Sequence, residues 1–193
     1  NIPFIGVNHL EGHALSPKIN SNLNYPYLLL LISGGHSQYL SVQQLGKYKR
    51  LGTTIDDALG EAFDKTAKLL GIEFPGGPQI EILAAKGDPN KYNLPKPIFN
   101  KGGCNLSFAG LKTAVLRISK NIKSDKEKFD LAASFQKIIE EILYKKTKNA
   151  FVEFEKLNNP KDKVFVVAGG VAANKKIRSM LIKLCKEENY QSI

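Results

Sequence analysis

The chain is poor in cysteine and contains no long apolar run. Only two of its 193 residues are cysteines, Cys104 and Cys185, and they show no C-x-x-C spacing. This excludes a zinc knuckle and a disulfide framework and predicts two reduced, partly buried thiols. No segment approaches the roughly 18 consecutive apolar residues of a membrane span, and no signal peptide pattern opens the chain. We therefore expect a cytoplasmic protein with no membrane partner.

Internal repeats and low-complexity tracts are also absent from the sequence. Hydrophobic residues make up 42% of the chain, which is enough to bury a sizeable core as one domain or as one lobe of a larger protein. The chain begins at Asn1 rather than at a methionine and stops at Ile193 directly after an amphipathic segment. We expect a piece of a longer protein, with residues 1–193 forming a single partial domain.

Acidic residues are too few to balance the basic ones, since 28 Lys and Arg face 18 Asp and Glu for a net charge of +10. A positive field of this size attracts a polyanion, although solvated lysine faces explain the imbalance equally well. No aromatic stripe interleaves the lysines, which argues against a stacking platform for single strands. The basic residues cluster at Lys145, Lys146 and Lys148, at Lys161 and Lys163, and at Lys175, Lys176 and Arg178.

Hydrophobic periodicity predicts strands alternating with helices. Apolar runs at 27–32 and 164–168 have strand length, and segments 37–42 and 48–53 around Gly46 predict a hairpin. Ser124 and Glu127 form a capping box before a long amphipathic helix over about 125–157. Other helical patterns cover 8–15, 55–70 up to Gly71, 79–85 and 177–185.

Two segments are predicted to lack regular structure. Two prolines bracket two glycines in Phe74-Pro75-Gly76-Gly77-Pro78, which predicts a tight loop. Residues from about 87 to 109 are rich in Pro, Asn, Lys and Gly, which predicts an irregular excursion on the surface.

Both buried strands end in a glycine pair, in Ser33-Gly34-Gly35 and in Ala168-Gly169-Gly170. In α/β proteins nucleotides bind at such strand ends, because helix N-termini and backbone without side chains can face a phosphate there. Tight turns that need positive φ explain glycine pairs about as often. Neither pair fits the G-x-x-x-x-G-K-[ST] or the G-x-G-x-x-G pattern, so we expect a different nucleotide-binding fold.

The three histidines of the chain lie in two short motifs, His9 and His13 in one and His36 in the other. A spacing of four places His9 and His13 on one helix face, where both imidazoles can bind one ion. A pair of helix-face histidines without metal is the alternative, and it is the commoner outcome for an isolated H-x-x-x-H. Metalloproteases share this spacing but place their general-base glutamate directly after the first histidine, where this chain has Leu10. Glu11 would point away from His9 on a helix.

Three carboxylates, Asp57, Glu61 and Asp64, are spaced to share one helix face. Lys65 and Lys68 follow Glu61 and Asp64 by four residues, which predicts surface ion pairs. We favour that interpretation for Glu61. Asp64 lies close to the proline–glycine segment and could instead accept hydrogen bonds from a ribose.

Six motifs in a fixed order resemble the TsaD/Gcp family of tRNA adenosine threonylcarbamoyltransferases, bacterial type, once described as O-sialoglycoprotein endopeptidases. The resemblance runs through nearly the whole chain. The motifs are Asn8-His9-Leu10-Glu11-Gly12-His13, Ser33-Gly34-Gly35-His36-Ser37, Asp56-Asp57-Ala58-Leu59-Gly60-Glu61-Ala62-Phe63-Asp64-Lys65, Phe74-Pro75-Gly76-Gly77-Pro78, Phe108-Ala109-Gly110-Leu111-Lys112-Thr113 and Gly169-Gly170-Val171-Ala172-Ala173-Asn174.

The resemblance implies an α/β, actin-like ATPase fold (ASKHA, ribonuclease H-like), in which this chain forms a lobe with a mixed sheet flanked by helices. The N-terminal lobe and the C-terminal end would lie outside it. The implied reaction transfers the threonylcarbamoyl group from threonylcarbamoyl-AMP to the N6 amine of the adenosine 3′ of the anticodon, in tRNAs that read codons starting with adenosine. The implied partners are tRNA, a paralogous noncatalytic subunit and a small ATPase.

The resemblance also implies roles for individual residues. His9 and His13 would bind one divalent metal, iron or zinc, and ATP or threonylcarbamoyl-AMP would lie in the cleft. The family's third protein ligand is an aspartate beyond the last motif, outside this chain, so we expect weak metal binding and no activity from the 193-residue chain alone. No general base is implied. The implied substrate-binding residues are Ile32, Ser33, Gly34, Gly35, His36, Asp64, Gly77 and Asn174.

Two alternative functions stay open at this point. A metal-dependent endopeptidase would require protein cleavage that the change of His13 to Ala abolishes. A noncatalytic scaffold subunit of the same fold is the other alternative. The presence of His9 and His13 argues against it, since the family's paralogous partner lacks the histidine motif.

Overall fold

The computed structural model describes residues 2–193, apart from the side chain of Asn20, and five strands in this range form one mixed sheet. β1 pairs antiparallel with β2 and β2 with β3, while β4 pairs parallel with both β1 and β5. The mixed sheet and the hairpin predicted from the sequence are confirmed. In the spatial order β3-β2-β1-β4-β5, the strands are β1 (Tyr27–Ile32), β2 (Ser37–Gln44), β3 (Lys47–Thr53), β4 (Val164–Ala168) and β5 (Gln191–Ser192).

Helices cover both faces of the sheet. None of those within residues 2–193 is long and apolar enough to span a membrane. The helices are α1 (His9–Leu15), α2 (Pro17–Asn20), α3 (Leu59–Leu69), α4 (Gly76–Ala84), α5 (Ala109–Ser119), α6 (Asp125–Asn158) and α7 (Lys175–Glu187), with a short 3-10 helix at Gly170–Ala173.

The core is divided between the two faces of β1, all six residues of which are buried. Successive side chains of a strand point to opposite faces. Leu28 and Leu30 accordingly join the larger cluster with the helices α3 to α7, and Tyr27 and Leu29 join a smaller cluster with Ala14 of α1. The Tyr27 hydroxyl donates a hydrogen bond to the Ala14 carbonyl (2.7 Å), which fixes α1 on the smaller face.

The long helix α6 begins where the capping box predicts. The Ser124 hydroxyl accepts from the Glu127 amide (3.3 Å), and the Glu127 carboxylate accepts from the Ser124 amide (3.2 Å). These bonds satisfy amide donors that have no partner inside the helix. The assignment of residues 1–193 to a single partial domain stays a prediction.

Two predicted boundaries around α3 and α4 are wrong. Residues 55–58 are not helical, because the Ile55 amide donates to the Leu106 carbonyl (2.9 Å), directly after a β-bridge between Thr54 and Leu106. The predicted loop at 74–78 is in fact the start of α4, which begins at Gly76. Pro78 is tolerated there because amides in the first turn of a helix have no partner to lose.

The segment between α4 and α5 is irregular, as predicted, but it is not a surface excursion. Leu94, Cys104 and Leu106 are buried in the main core. Gly87 packs so closely on α6 that a Cβ atom would lie 2.0 Å from the Phe129 carbonyl oxygen. Backbone contacts of this kind depend on the fold, so the composition of the segment does not predict them.

Candidate functional site

The parallel pairing of β1 with β4 brings the two glycine pairs together at one edge of the sheet. Leu31 is paired with Ala168, so Ser33-Gly34-Gly35 and Gly169-Gly170 leave the sheet side by side. Gly169 has φ +99°, and a Cβ atom there would lie 2.3 Å from the Ile32 carbonyl oxygen. Only glycine fits such a backbone and such a contact.

The loop after β1 is a tight turn that closes on itself. The Ser33 amide donates to the His36 carbonyl (2.8 Å), and the His36 amide donates to the Ser33 hydroxyl (3.1 Å). Gly34 and Gly35 are exposed, and a Cβ atom on either would meet nothing within 4 Å. The turn therefore offers bare backbone to a ligand.

Helix α3 begins directly against this turn. The Gly60 amide donates to the Ser33 carbonyl (3.1 Å), and the Leu59 amide donates to the Ser37 hydroxyl (2.8 Å). A Cβ atom at Gly60 would lie 2.7 Å from the Ser33 oxygen, so glycine is needed for this approach. The contact fixes the glycine turn relative to the acidic residues of α3.

A cleft of about 430 Å³ lies beside the turn and collects residues from four separate segments. Gly34, Asp64, Gly77 and Asn174, all implied by the family resemblance, line it. Glu81 also lines the cleft and was missed from the sequence. Its carboxylate accepts from the Lys175 amide (2.8 Å), a contact between α4 and α7 that the sequence does not signal.

The structure does not bring every implied substrate residue to the cleft surface. The Ile32 side chain is fully buried in the main core, so any contribution of Ile32 to the site is made by its backbone. Ser33 and His36 form the base of the glycine turn, and neither they nor Gly35 line the cleft itself.

Asp64 lines the cleft and has one carboxylate oxygen committed to the fold. Its Oδ1 accepts from the Gly76 amide (2.9 Å), which fixes the start of α4 on α3. The predicted ion pair with Lys68 is not found among the described residues. Lys65 instead pairs with Glu61 (2.6 Å), as predicted, and also with Asp57 (3.1 Å).

The two glycines at the start of α4 have different surroundings. A Cβ atom at Gly76 would lie 2.3 Å from the Cβ of Ala67, whereas one at Gly77 would meet only the Phe63 Cβ at 3.9 Å. Gly76 is therefore required by helix packing. Gly77 lines the cleft and leaves space there that the fold itself does not use.

Asn174 ends the second glycine motif and caps α7. Its Oδ1 accepts from the amides of Lys176 (3.1 Å) and Ile177 (3.0 Å), and its Nδ2 donates to Gln136 Oε1 (3.2 Å). Both Asn174 and Gln136 are buried. The helix cap expected of an asparagine at this position is thus present.

The histidine motif lies on α1, and the structure brings the three histidines close together. The ring centroids of His9 and His13 are 4.7 Å apart, and those of His9 and His36 are 6.5 Å apart. Within residues 2–193, no group of three or more His, Cys, Asp or Glu side chains is placed to hold a metal ion. His9 and His13 alone supply two imidazole donors of the type that iron and zinc accept.

The Glu11 carboxylate binds Tyr48 rather than the histidines. It accepts from the Tyr48 hydroxyl (2.6 Å) on β3, as expected for a residue that faces away from His9 on the helix. This contact leaves no glutamate beside the histidines in the position of a protease general base.

Three basic residues follow the cleft residue Asn174 at the start of α7. Lys175, Lys176 and Arg178 are exposed there. The cluster around Lys145 is different, because Lys146 is fully buried and its ammonium donates to the Lys101 carbonyl (2.6 Å). Burial lowers the pKa of Lys146 from its ordinary value. Lys146 is therefore excluded from any basic surface.

The two cysteines are free and buried, as predicted. Burial raises the pKa of each thiol to about 11. Neither lies in the cleft, so neither is a candidate nucleophile for it.

Comparison with solved structures shows the fold. Component A of the (R)-2-hydroxyglutaryl-CoA dehydratase of Acidaminococcus fermentans matches with a TM-score of 0.53 and 17% sequence identity, over 95% of this chain and 60% of that chain. The predicted actin-like ATPase fold is thereby confirmed.

Comparison with sequences shows the family. A relative from Pelagibacter ubique (strain HTCC1062) is 79% identical over 193 residues, and one from Rickettsia massiliae (strain Mtu5) is 56% identical over 194 residues. Both carry the name tRNA N6-adenosine threonylcarbamoyltransferase, and the chain spans 54% and 56% of their lengths. The family model described as TsaD, tRNA N6-adenosine threonylcarbamoyltransferase, matches residues 1–193. The chain belongs to the TsaD family of tRNA N6-adenosine threonylcarbamoyltransferases.

Proposed function

We propose that the full-length protein transfers the threonylcarbamoyl group from threonylcarbamoyl-AMP to the N6 amine of the adenosine 3′ of the anticodon. The substrates are tRNAs that read codons starting with adenosine. The observation that carries the proposal is the convergence of Gly34, Asp64, Gly77 and Asn174 on one cleft. Family membership supports the reaction class.

In this proposal, residues of the cleft and of the adjoining glycine turn bind different parts of the adenylate. The open backbone of Gly34 and Gly35 approaches the phosphate, because no side chain blocks their amides. The free oxygen of Asp64 accepts hydrogen bonds from the ribose hydroxyls, and the empty space above Gly77 admits the adenine ring. Asn174 adds a hydrogen bond from the opposite wall. ATP is the alternative occupant of the same cleft.

His9 and His13 would hold a divalent metal, iron or zinc. When bound, this ion supplies a positive charge that stabilises the oxygens of the threonylcarbamoyl group as the amine attacks. The two imidazoles are fewer than the three protein ligands usual in a catalytic site, so binding by this chain alone is weak. Replacing His13 by Ala should abolish zinc binding measured by calorimetry and leave AMP binding unchanged, because Asp64, Gly77 and Asn174 remain.

The partners in this proposal are tRNA, a paralogous noncatalytic subunit and a small ATPase, in the cytoplasm. The exposed cations at the start of α7, Lys175, Lys176 and Arg178, follow the cleft residue Asn174 in the chain and favour a polyanion at this end of α7. Replacing all three by Ser should weaken tRNA binding and flatten its dependence on salt concentration, since each phosphate contact releases a counterion.

The decisive experiment is transfer to unmodified tRNA by the full-length protein, with purified threonylcarbamoyl-AMP synthase and the partner proteins. The expected product is threonylcarbamoyladenosine, and its absence would overturn the proposal. The 193-residue chain alone should give none. The endopeptidase alternative is not supported, because the relatives carry the transferase name and Glu11 is bound to Tyr48.

A further inference from the structure

Gln136 on α6 lies behind the cleft wall formed by Asn174. The Gln136 Oε1 accepts from Asn174 Nδ2 at 3.2 Å, although the residues are 38 positions apart. Gln136 is 4% exposed and Asn174 is 8% exposed. A buried amide keeps such a position only where its hydrogen bonds are met.

The hydrogen bonds of Asn174 fix which way its amide points. Its oxygen must face the two backbone amides of Lys176 and Ile177, because those groups are donors only. Its nitrogen therefore faces Gln136, whose oxygen accepts.

Glu140 and Lys176 lie near Gln136, since all three line one pocket behind the cleft wall. Burial raises the pKa of Glu140, whereas the charge of Lys176 acts in the opposite direction. The chain of donors and acceptors runs from the backbone amides of α7 through Asn174 to Gln136 on α6. No member of it can be reversed without losing a hydrogen bond elsewhere.

Within residues 2–193, the hydrogen bonds of Asn174 leave one of its hydrogen-bonding positions open. An asparagine side chain offers two acceptor lone pairs and two N–H donors. The α7 cap occupies both lone pairs, and Gln136 occupies one N–H. What Asn174 can offer to a ligand in the cleft is a single N–H donor.

We propose that Gln136 is a positioning residue that aims the remaining N–H of Asn174 into the cleft, so that Asn174 contacts an acceptor atom of the bound adenine nucleotide. The inference rests on the proposed function for the identity of the ligand. The α7 cap holds only the oxygen of Asn174, and Gln136 fixes the plane of the amide. Without the Gln136 oxygen, the Asn174 amide is free to rotate, and its remaining N–H no longer points at the ligand.

The test measures AMP binding to the full-length protein by calorimetry. Gln136→Met removes the acceptor at similar volume and should weaken AMP binding about fivefold, the size of one ordinary hydrogen bond. Gln136→Glu keeps an oxygen opposite Asn174 and should retain affinity within about twofold. Thr147→Val is the matched control, because Thr147 is a buried polar residue of α6 that contacts Tyr39 instead.

A second pair of variants separates positioning from stability. Asn174→Asp keeps the cap but has no donor, so it should weaken AMP binding, and adding Gln136→Met should weaken it no further. Equal AMP affinity in Gln136→Met and wild type would overturn the inference while the proposed function stands. Equal losses in Gln136→Met and Gln136→Glu would also overturn it. A wild-type protein that binds no AMP would overturn both.

Discussion

The ammonium of Lys112 lies 3.1 Å from Asp57 Oδ2, and the ammonium of Lys65 lies 3.1 Å from the same oxygen. One carboxylate thus joins the start of α5 to the first turns of α3. The neighbouring Asp56 accepts from the amide of Phe108 (2.8 Å) and caps α5 across 52 positions. These two acidic residues stabilise the wall of α3 that carries Asp64.

The pairing of Asp57 predicts a pH dependence of stability. Burial raises the pKa of Asp57, but hydrogen bonds from Lys112 and Lys65 outweigh it and leave the pKa below its ordinary value. Such a carboxylate contributes stability above its unfolded pKa of about 3.9, and this is lost as the pH falls through the lower folded value. Asp57→Asn should therefore cost about 1 kcal/mol in free energy of unfolding at pH 7.

Urea unfolding at pH 7 and pH 3 checks this. The difference between Asp57→Asn and wild type should shrink at pH 3, because Asp57 of the unfolded chain is then largely protonated and part of the stability that its lowered pKa provides is lost. Asp162→Asn, at an exposed site, is the control and should change little at either pH. A difference that stays constant with pH would contradict the prediction.

Gly76 and Gly77 should respond in opposite ways to replacement by Ala. Gly76→Ala places a methyl group 2.3 Å from Ala67 Cβ and should lower the free energy of unfolding by about 1–3 kcal/mol. Gly77→Ala meets no protein atom closer than 3.9 Å, so it should leave stability unchanged or raise it. It should nevertheless weaken AMP binding at least about tenfold, since the methyl group occupies the cleft. Unchanged AMP binding in Gly77→Ala would remove Gly77 from the site.

The second glycine pair offers a similar contrast. Gly169→Ala requires φ near +99° and a contact of 2.3 Å with the Ile32 carbonyl, so it should cost about 2 kcal/mol or more. Gly170→Ala meets nothing within 4 Å and should cost far less. Urea unfolding of the two variants measures the difference. Equal losses would show that the close approach of β4 to β1 is not what Gly169 provides.

Both thiols should resist modification in the folded protein. Cys104 and Cys185 are buried, and burial raises the pKa of each to about 11, so little thiolate forms at pH 8. Ellman's reagent should find no reactive thiol in the native chain and two in urea. Ser179→Cys, at an exposed site of α7, is the control and should add one rapidly reacting thiol. Rapid native reaction of the wild type would contradict the buried positions.

The strands were predictable from sequence because their signal is local. The apolar runs of β1 and β4 coincide with the observed strands, and the helical pattern at 8–15 agrees with α1. The start of α4 was not predictable, since Pro-Gly-Gly-Pro is typical of a turn and only the contact between Gly76 and Asp64 makes it helical. Helix α5 and the short strand β5 were missed for a similar reason, because Asp56 binds the start of α5 and β4 pairs with β5. The short helix α2 was also missed.

The candidate site, too, was predictable from the sequence only in part. The family motifs indicated Gly34, Asp64, Gly77 and Asn174, but a motif does not show which glycine serves packing and which leaves space for a ligand. Gln136 carries no sequence signal at all, since it lies in the middle of an unbroken amphipathic helix. Its position becomes apparent only when α6 and α7 are packed together.

The pairing of Leu31 with Ala168 also has a kinetic consequence. The two walls of the cleft are separated by most of the chain, including all of α6, so local structure alone cannot assemble them. Contacts between residues so distant in sequence form slowly, because a long loop must close before they are made. Nucleotide binding should therefore appear among the last events of refolding, later than the hairpin of β2 and β3 and later than the helical signal of α6.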